Sequence, residues 1–334
     1  MPPAELPGAQ GLNTTLKSKM TALGIDLGGT KLSAALVSDY KLLSQPRTVA
    51  TPPGPDSIVD AIVKLIMSFQ VESVFGAVGI ATAGVVDPET GGIVGATNNL
   101  PGWAGTPLKK LIENRTMLPV HVENDANAAA YADTMAMNLG ERKCVVGITL
   151  GTGIGTGIIV KGQVFRGGHL FAAEGGHMRI SLGNSRLCTC GQFDCWEAYA
   201  CGRGLVTTAK ELLQNITLDQ TELAAHKEDL TTHMITQAAL QDDIIAQKAL
   251  DIWHQHIAVG IVNFAHILDP DCFVVSGGLA DIVNFELLKE LVVDKCIHNL
   301  GDGIEIYKSE LGTTAGIIGA AHIVLDNIGQ SVSR

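Results

Sequence analysis

Charged side chains are scarce in this sequence: they make up 17% of its 334 residues, against about 25% in a typical globular protein. A basic excess is also absent, because the formal net charge is -11, and this argues against nucleic acid as a main partner. No apolar run is long enough to span a bilayer, and residues 1–20 hold no secretory signal. We therefore expect a compact cytoplasmic protein without a membrane partner, preceded by a flexible tail over residues 1–20.

Disulfide bonds are not expected either. The chain has seven cysteines, an odd number, and a reduced cytoplasm keeps thiols free. Nevertheless, Cys188, Cys190 and Cys195 fall within eight residues of one another. Such a cluster has three interpretations: a disulfide with a spare thiol, a redox site, or a metal site completed by a ligand from nearby.

Two glycine-rich segments resemble each other at an offset of 123 positions. They are "LGIDLGGTKLSAALV" (23–37) and "VGITLGTGIGTGIIV" (146–160), and each pattern predicts a strand, a tight turn and a second strand. Neither segment fits a P-loop or the G-x-G-x-x-G fingerprint. The duplication favours a phosphate clamp made by two similar domains over two hairpins that merely turn the chain. Four turn glycines let backbone N–H groups approach an anion: Gly28, Gly29, Gly151 and Gly153.

The polar residues beside these turns are of the types that bind a nucleotide and its metal cation. Asp26 at the first turn would repel a triphosphate unless Mg²⁺ stood between them. The hydroxyls of Thr30, Thr149 and Thr152 are potential donors to phosphate oxygens, and Lys31 adds a positive charge. For each threonine, the alternative is a role in stabilising the turn.

Strand patterns at 22–26, 32–37, 74–80 and 120–123 alternate with helix patterns at 56–69 and 106–114, which indicates an α/β domain. Asp125 follows the apolar strand at 120–123, where α/β folds place reacting groups. It is a candidate general base for a hydroxyl proton. From the residues alone, capping of the helix that begins there is an equal alternative.

Five motifs in order resemble the ROK family of repressors, open reading frames and kinases. The motifs are "GIDLGGTK" (24–31), "ENDANAAA" (123–130), "LGTGIGTGII" (150–159), "EGGH" (174–177) and "CTCGQFDCWE" (188–197). The resemblance implies the actin-like, ribonuclease-H-like ATPase fold: two similar α/β domains with ATP and a sugar in the interdomain cleft. We expect one domain over 21–135 with 316–334 and the other, with the cysteine loop, over 136–315.

The resemblance also implies roles for individual residues. It favours Asp125 as the catalytic base and places Gly277 and Gly278 of "CFVVSGGLAD" (272–281) against the adenosine of ATP. It implies a homodimer as well. The residues matching the family's sugar-binding motifs are Asn99, Asn124, Asp125, Glu174, His177 and Glu197.

The spacing C-x-C-x4-C, with His177 eleven residues earlier, suits a tetrahedral Cys3His zinc site. Four protein ligands close the coordination sphere, so we expect a structural Zn²⁺ on His177, Cys188, Cys190 and Cys195. The alternative is three buried cysteines that pack as small apolar residues. Two positions depart from the family: Asp194 stands where Gly is common, and Cys201, which we assign to the core, stands where Ser or Thr is common.

The sequence predicts an ATP-dependent hexokinase acting on the 6-hydroxyl of an aldohexose. "NNLPGW" (98–103) and "CWEAYA" (195–200) resemble the glucokinases of the family, so glucose comes first. An N-acetylmannosamine or N-acetylglucosamine kinase is the alternative, and polyphosphate is an alternative donor. A sugar-responsive repressor is disfavoured, because about 20 residues before the first hairpin are too few for a helix-turn-helix.

Overall fold

The computed structural model describes residues 20–95, 99–215 and 221–331. The chain forms two compact units. Unit 1 comprises the residues up to Ala136 together with those from Thr314 onward, and unit 2 comprises Met137–Thr313. We propose that these units are the two domains expected above. Within the described ranges, no helix is both long enough and apolar enough to cross a membrane.

Unit 1 is built on a six-stranded mixed sheet in the order β3-β2-β1-β5-β8, with β4 also paired to β2. A separate two-stranded ribbon pairs β6 with β7. The strands are β1 (Ala22–Leu27), β2 (Lys31–Ser38), β3 (Lys41–Leu42), β4 (Arg47–Ala50), β5 (Ala77–Thr82), β6 (Val85–Val86), β7 (Ile93–Gly95) and β8 (Val120–Asn124).

Unit 2 contains a five-stranded sheet in the order β11-β10-β9-β12-β13. Its strands are β9 (Cys144–Leu150), β10 (Ile154–Val160), β11 (Gln163–Val164), β12 (Cys272–Ser276) and β13 (Glu305–Lys308).

The two sheets repeat one topology. In unit 1, β1 pairs antiparallel with β2 and parallel with β5, and β5 pairs parallel with β8. In unit 2, β9 pairs in the same way with β10 and β12, and β12 pairs parallel with β13. Both glycine-rich segments are therefore hairpins, as predicted. The hairpin turn and the loops after the two parallel strands lie at the same end of each sheet.

The helices are α1 (Pro55–Gln70), α2 (Leu108–Thr116), α3 (Asp125–Ala136), α4 (Glu197–Ala200), α5 (Gly202–Leu212), α6 (Thr232–Leu240), α7 (Ile244–Leu268), α8 (Phe285–Lys295) and α9 (Ala315–Ser331). The long helix α7 begins at Ile244, because Asp243 caps it by accepting a hydrogen bond from the Ala246 N–H at 2.9 Å.

One prediction from the sequence needs correction. The strand expected over 74–80 is β5, which begins at Ala77, where it pairs with Ala22 of β1; Val74 is 97% exposed. After β12 and its double glycine, the chain forms a 3₁₀ turn over Ala280–Ile282. The α-helix begins only at Phe285, where Asn284 provides the cap.

The closing helix α9 packs directly on the sheet of unit 1. Gly24 of β1 and Gly79 of β5 face it, and a Cβ on either would collide with a carbonyl oxygen of the helix, that of Ile317 or Ala320. The missing side chains therefore let the helix backbone approach the strands closely. A second core on the other face of the sheet surrounds the buried Trp103 and the apolar side of α1.

Candidate active site and metal centre

The first hairpin turn presents exposed glycine and threonine backbone. The Gly28 N–H donates to the Lys31 carbonyl at 2.9 Å. Thr51, just after β4, holds the turn with two donated hydrogen bonds: its N–H donates to the Thr30 carbonyl at 3.0 Å, and its hydroxyl donates to the Gly28 carbonyl at 2.7 Å. Thr30 and Lys31 are exposed. Asn99 lies beside the turn, since a Cβ on Gly29 would be 3.0 Å from the Asn99 Cβ.

Asp26 lies at the carboxyl end of β1. Burial raises its pKa to about 7, and the negative charge of Asp125 contributes further. The neighbouring start of α9 is unusually close, because a Cβ on Gly316 would be 3.0 Å from the Asp26 Oδ2. An added cation would lower this pKa again, because it stabilises the ionised carboxylate.

Asp125 is the first residue of α3 and directly follows β8. The cap of this helix is supplied by Asn124, whose Oδ1 accepts from the Asn127 N–H at 3.0 Å, while its Nδ2 donates to the Gly84 carbonyl at 3.0 Å. The Asp125 carboxylate accepts from the adjacent Ala126 N–H at 2.8 Å. Burial raises its pKa, and hydrogen bonds from the Ala126 and Asp125 backbone N–H groups and from the Asn124 side chain partly offset the rise. A carboxylate of raised pKa suits proton acceptance.

The second hairpin turn lies in unit 2 and is tied to its neighbours by backbone hydrogen bonds. The Gly151 N–H donates to the Gly153 carbonyl, and the Gly202 N–H of α5 donates to the Gly151 carbonyl, both at 3.0 Å. The Thr149 hydroxyl lies 3.4 Å from that of Ser276 at the end of β12. Thr152 at the tip is exposed.

A cavity of about 440 Å³ opens beside the double glycine in unit 2. This volume is within the range of small-ligand pockets. Lys308 and Asp281 form an ion pair of 2.7 Å at its wall. The lining residues are Gly277, Gly278, Ala280, Asp281, Lys308, Ser309, Glu310, Leu311, Gly312 and Thr313.

Glu174 directly precedes a single 3₁₀ turn over Gly175–His177, in which His177 is the last residue. In such a turn, residues three apart lie on the same side. The two glycines are required by close packing, because a Cβ on Gly175 would collide with Phe264 and one on Gly176 with the Ile154 carbonyl.

The four predicted zinc ligands come together in unit 2. The ligand atoms of His177, Cys188, Cys190 and Cys195 all lie within 4.8 Å of one another. The Cys190 and Cys195 sulfurs are 3.7 Å apart, and the Cys188 sulfur is 3.7 Å from Nδ1 of His177. A tetrahedral Zn²⁺ with Zn–S bonds of about 2.3 Å would space its sulfur ligands by about 3.8 Å. The geometry and the donor set therefore fit zinc.

Without a cation, the cluster disfavours ionisation of its thiols. Burial, together with the neighbouring Cys190 and Cys188 thiols, raises the pKa of Cys195 to about 12. Burial also raises the pKa of Cys188. Three thiolates this close repel one another unless a cation lies between them, and a coordinated divalent ion deprotonates its thiol ligands.

Asp194 occupies the position where the family commonly has glycine. Its φ is +60°, in the left-handed region that glycine prefers and aspartate tolerates. The buried carboxylate accepts from the Tyr199 hydroxyl at 2.7 Å and from the Ser185 and Arg186 N–H groups at 3.0 and 3.1 Å. These hydrogen bonds, that of Tyr199 first, lower its pKa. Aspartate at position 194 thus keeps the left-handed backbone conformation and adds hydrogen bonds across the loop. Cys201 is fully buried in the core, as expected.

The ROK family model matches residues 22–327. The chain belongs to the ROK family. The ROK protein is 35% identical over 309 residues to a glucokinase from Streptomyces coelicolor, which covers 90% of this chain and 96% of the relative. A ROK glucokinase from Streptomyces griseus, solved in complex with glucose and AMPPNP, is 35% identical with a TM-score of 0.76, covering 91% and 98% of the two chains. An N-acetyl-D-glucosamine kinase from Vibrio atlanticus is 29% identical over 314 residues, covering 90% and 98%. These similarities confirm the family and the actin-like ATPase fold.

Sequence reasoning missed several residues of this ROK protein. Thr51 holds the first hairpin turn, and Thr189, between two cysteines, donates its hydroxyl to the Glu197 carboxylate at 2.6 Å. Neither has a signal in the sequence, because both act on distant backbone or side chains. Ser309 at the cavity has such a signal: it directly follows β13, as Asp125 directly follows β8 in the repeated topology. Residues 97 and 98 of "TNNLPGW" lie outside the described residues.

Proposed function

We propose that this chain transfers the γ-phosphoryl group of ATP to the 6-hydroxyl of an aldohexose, and that glucose is its preferred substrate. The broader class is established: the chain is an ATP-dependent sugar kinase, since it resembles glucokinases over about 90% of its length. Glucose is favoured by the 35% identity to two of them, and N-acetylglucosamine is the runner-up because of the 29% identity to its kinase.

One observation carries the catalytic part of the proposal. Asp26 and Asp125 come from the ends of different strands, yet the charge of Asp125 raises the pKa of Asp26. They therefore lie close together, and we assign them distinct roles. Asp125 accepts the proton of the attacking sugar hydroxyl, and its raised pKa makes it a stronger base than an exposed aspartate. Asp26 holds Mg²⁺, which neutralises charge on the phosphates when it is bound.

The remaining assignments divide between the two units. In unit 1, we assign the turn at Gly28–Lys31 to the phosphates and Asn99 and Asn124 to the sugar. In unit 2, we assign the turn at Thr149–Gly153 to the phosphates and the cavity beside Gly277 and Gly278 to adenosine. The unit 2 residues assigned to the sugar are Glu174, His177 and Glu197.

The Cys3His cluster is proposed to hold a structural zinc ion. Nδ1 is the ring nitrogen that faces Cys188, so the metal bond would fix the ring orientation and leave Nε2 for a sugar hydroxyl. The four protein ligands leave no open position, and His177 acts only by orientation. The homodimer and the cytoplasmic location expected from the sequence stay predictions.

A coupled ADP-release assay tests the proposal. Glucose, mannose, fructose, N-acetylglucosamine and N-acetylmannosamine are compared as acceptors, with ATP and polyphosphate as donors, and phosphorus NMR identifies the modified hydroxyl. We expect the highest kcat/KM for glucose with ATP and a 6-phosphate product. A higher kcat/KM for either N-acetylhexosamine would replace glucose with that sugar. No ADP release with any acceptor would refute the kinase assignment.

A further inference from the structure

Glu197 is a buried carboxylate at the first turn of a very short helix. Its side chain is only about 9% exposed, although it belongs to one of the residue types that are almost never fully buried unless paired. It lies two residues after the metal-site cysteine Cys195, at the start of α4. Its two carboxylate oxygens bond to different parts of unit 2.

One oxygen bonds to the cysteine loop. Oε1 accepts from the Thr189 hydroxyl at 2.6 Å and from the Cys188 thiol at 3.4 Å. A metal-bound Cys188 is a thiolate and has no proton to donate. In the metal-loaded protein, Thr189 is therefore the donor that connects Oε1 to this loop.

The other oxygen bonds to the second hairpin turn. Oε2 accepts from the Ile154 N–H at 3.0 Å in a buried hydrogen bond. The carboxylate also packs directly on the turn, because a Cβ on Gly153 would collide with Oε2. The Arg203 guanidinium lies 4.0 Å from the first oxygen, Oε1. A charged acceptor in a buried site makes a stronger hydrogen bond than a neutral one.

We infer that Glu197 is a positioning residue that couples occupation of the Cys3His cluster to the shape of the phosphate-binding turn at Gly151–Ile154. The inference rests on the proposed function, because it takes this turn to bind phosphate. A metal ion bound at the cluster holds the Cys188–Thr189 segment in place, and the Thr189 hydroxyl in that segment holds Oε1 of Glu197. Oε2 then sets the position of the Ile154 N–H and the adjoining turn.

The consequence is a metal-dependent affinity for nucleotide. Without a metal, the Cys188–Thr189 segment loses its anchor at the cluster, and we expect the Glu197 carboxylate to be held less firmly against the turn. Because hydrogen bonds to charged groups are strong, we expect the affinity for Mg-ADP to fall by roughly tenfold. Zinc would thereby affect the nucleotide without contacting it.

Isothermal titration of Mg-ADP tests this coupling in zinc-loaded protein and in protein stripped with a chelator, with zinc content measured in each sample. We expect the wild-type protein to bind Mg-ADP about tenfold more weakly after stripping. Glu197→Gln should keep one zinc per chain, bind Mg-ADP weakly when loaded, and show no further loss when stripped. Its amide provides one neutral acceptor in place of two charged ones.

Two other variants complete the design. Glu211→Gln is the matched control: this glutamate pairs with Arg186 in the same unit, and it should retain the tenfold dependence. Thr189→Val removes a single hydroxyl from an exposed residue and should reduce the metal dependence while keeping the zinc. If circular dichroism shows that Glu197→Gln is unfolded, Thr189→Val becomes the deciding variant.

Equal affinity of loaded and stripped wild-type protein would overturn the coupling, as would unchanged metal dependence in Glu197→Gln or, where that variant is unfolded, in Thr189→Val. A wild-type protein that takes up no zinc would also overturn it. The readout is binding and not turnover, so an absence of hexose phosphorylation refutes only the proposed function. An absence of Mg-ADP binding by loaded protein would refute both.

Discussion

Replacing Asp26 with asparagine should stabilise the protein and the gain should depend on pH. The side chain is largely enclosed, and its pKa rises from the ordinary 3.8 to about 7. Each pH unit between the folded and unfolded pKa values corresponds to 1.36 kcal/mol. Full ionisation of Asp26 in the folded protein without a cation therefore costs up to about 4 kcal/mol.

The sign follows from the proton balance. Between about pH 4 and pH 7 the folded protein keeps the Asp26 proton while the unfolded chain has lost it. The wild-type free energy of unfolding therefore falls as pH rises through this window and is level above it. Asparagine does not titrate. Allowing for the partial exposure of the carboxylate, we expect the advantage of Asp26→Asn to grow by about 2 kcal/mol from pH 5 to pH 8.

Urea titrations at pH 5, 6, 7 and 8 without Mg²⁺ measure this difference. Asp87→Asn is the control, because Asp87 accepts from the Glu89 N–H and the Thr90 hydroxyl, each at 2.9 Å, and these bonds lower its pKa. Its contribution is lost only as pH falls below about 4, so its effect should be constant across the series. A constant effect for Asp26→Asn as well would refute the reasoning.

Three further predictions concern the catalytic base, the sheet and the metal. Asp125→Asn should lower kcat by a factor of about 10² or more while the sugar and nucleotide affinities are retained, as measured by steady-state kinetics and titration calorimetry. Retained turnover would be the contrary result. Gly79→Ala should lower the free energy of unfolding by about 2–3 kcal/mol, because the added Cβ would collide with the Ala320 carbonyl. Gly76→Ala, at a position with open space around it, is the control in the same denaturation series, and equal stability of the two variants would contradict the packing argument. Cys190→Ala should lose the zinc by elemental analysis while Cys296→Ala, outside the cluster, keeps it; full zinc in both would exclude Cys190 as a ligand.

Local patterns in the sequence were sufficient for most of the fold. The alternation of apolar runs and glycine-rich turns specified both hairpins, the first to within a residue at each strand end, because strand pairing across a tight turn depends on neighbouring residues. Boundaries set by distant partners were less accurate. The start of β5 follows from its register with β1, which lies more than 50 residues earlier, and so the prediction began three residues too soon.

The metal cluster illustrates the same division. Its ligand types and spacing were readable because His177 and the three cysteines lie within 19 residues of chain. Asp194 appeared as a departure that put the loop in question. In the structure, the Tyr199 hydroxyl and two loop N–H groups donate hydrogen bonds to the Asp194 carboxylate. The carboxylate therefore stabilises the loop from inside.

By itself, the sequence predicted the family, the paired hairpins, the candidate base and the candidate ligands of a metal site, because each depends on residue type and short spacing along the chain. The tertiary structure alone decided which groups interact across long separations. It placed Asp26 close enough to Asp125 for that charge to raise the pKa of Asp26. It packed α9 on Gly24 and Gly79, and it brought the Glu197 carboxylate to the Ile154 N–H. Burial and charge interactions depend on distance in space, and distance in space is set only when the chain has folded.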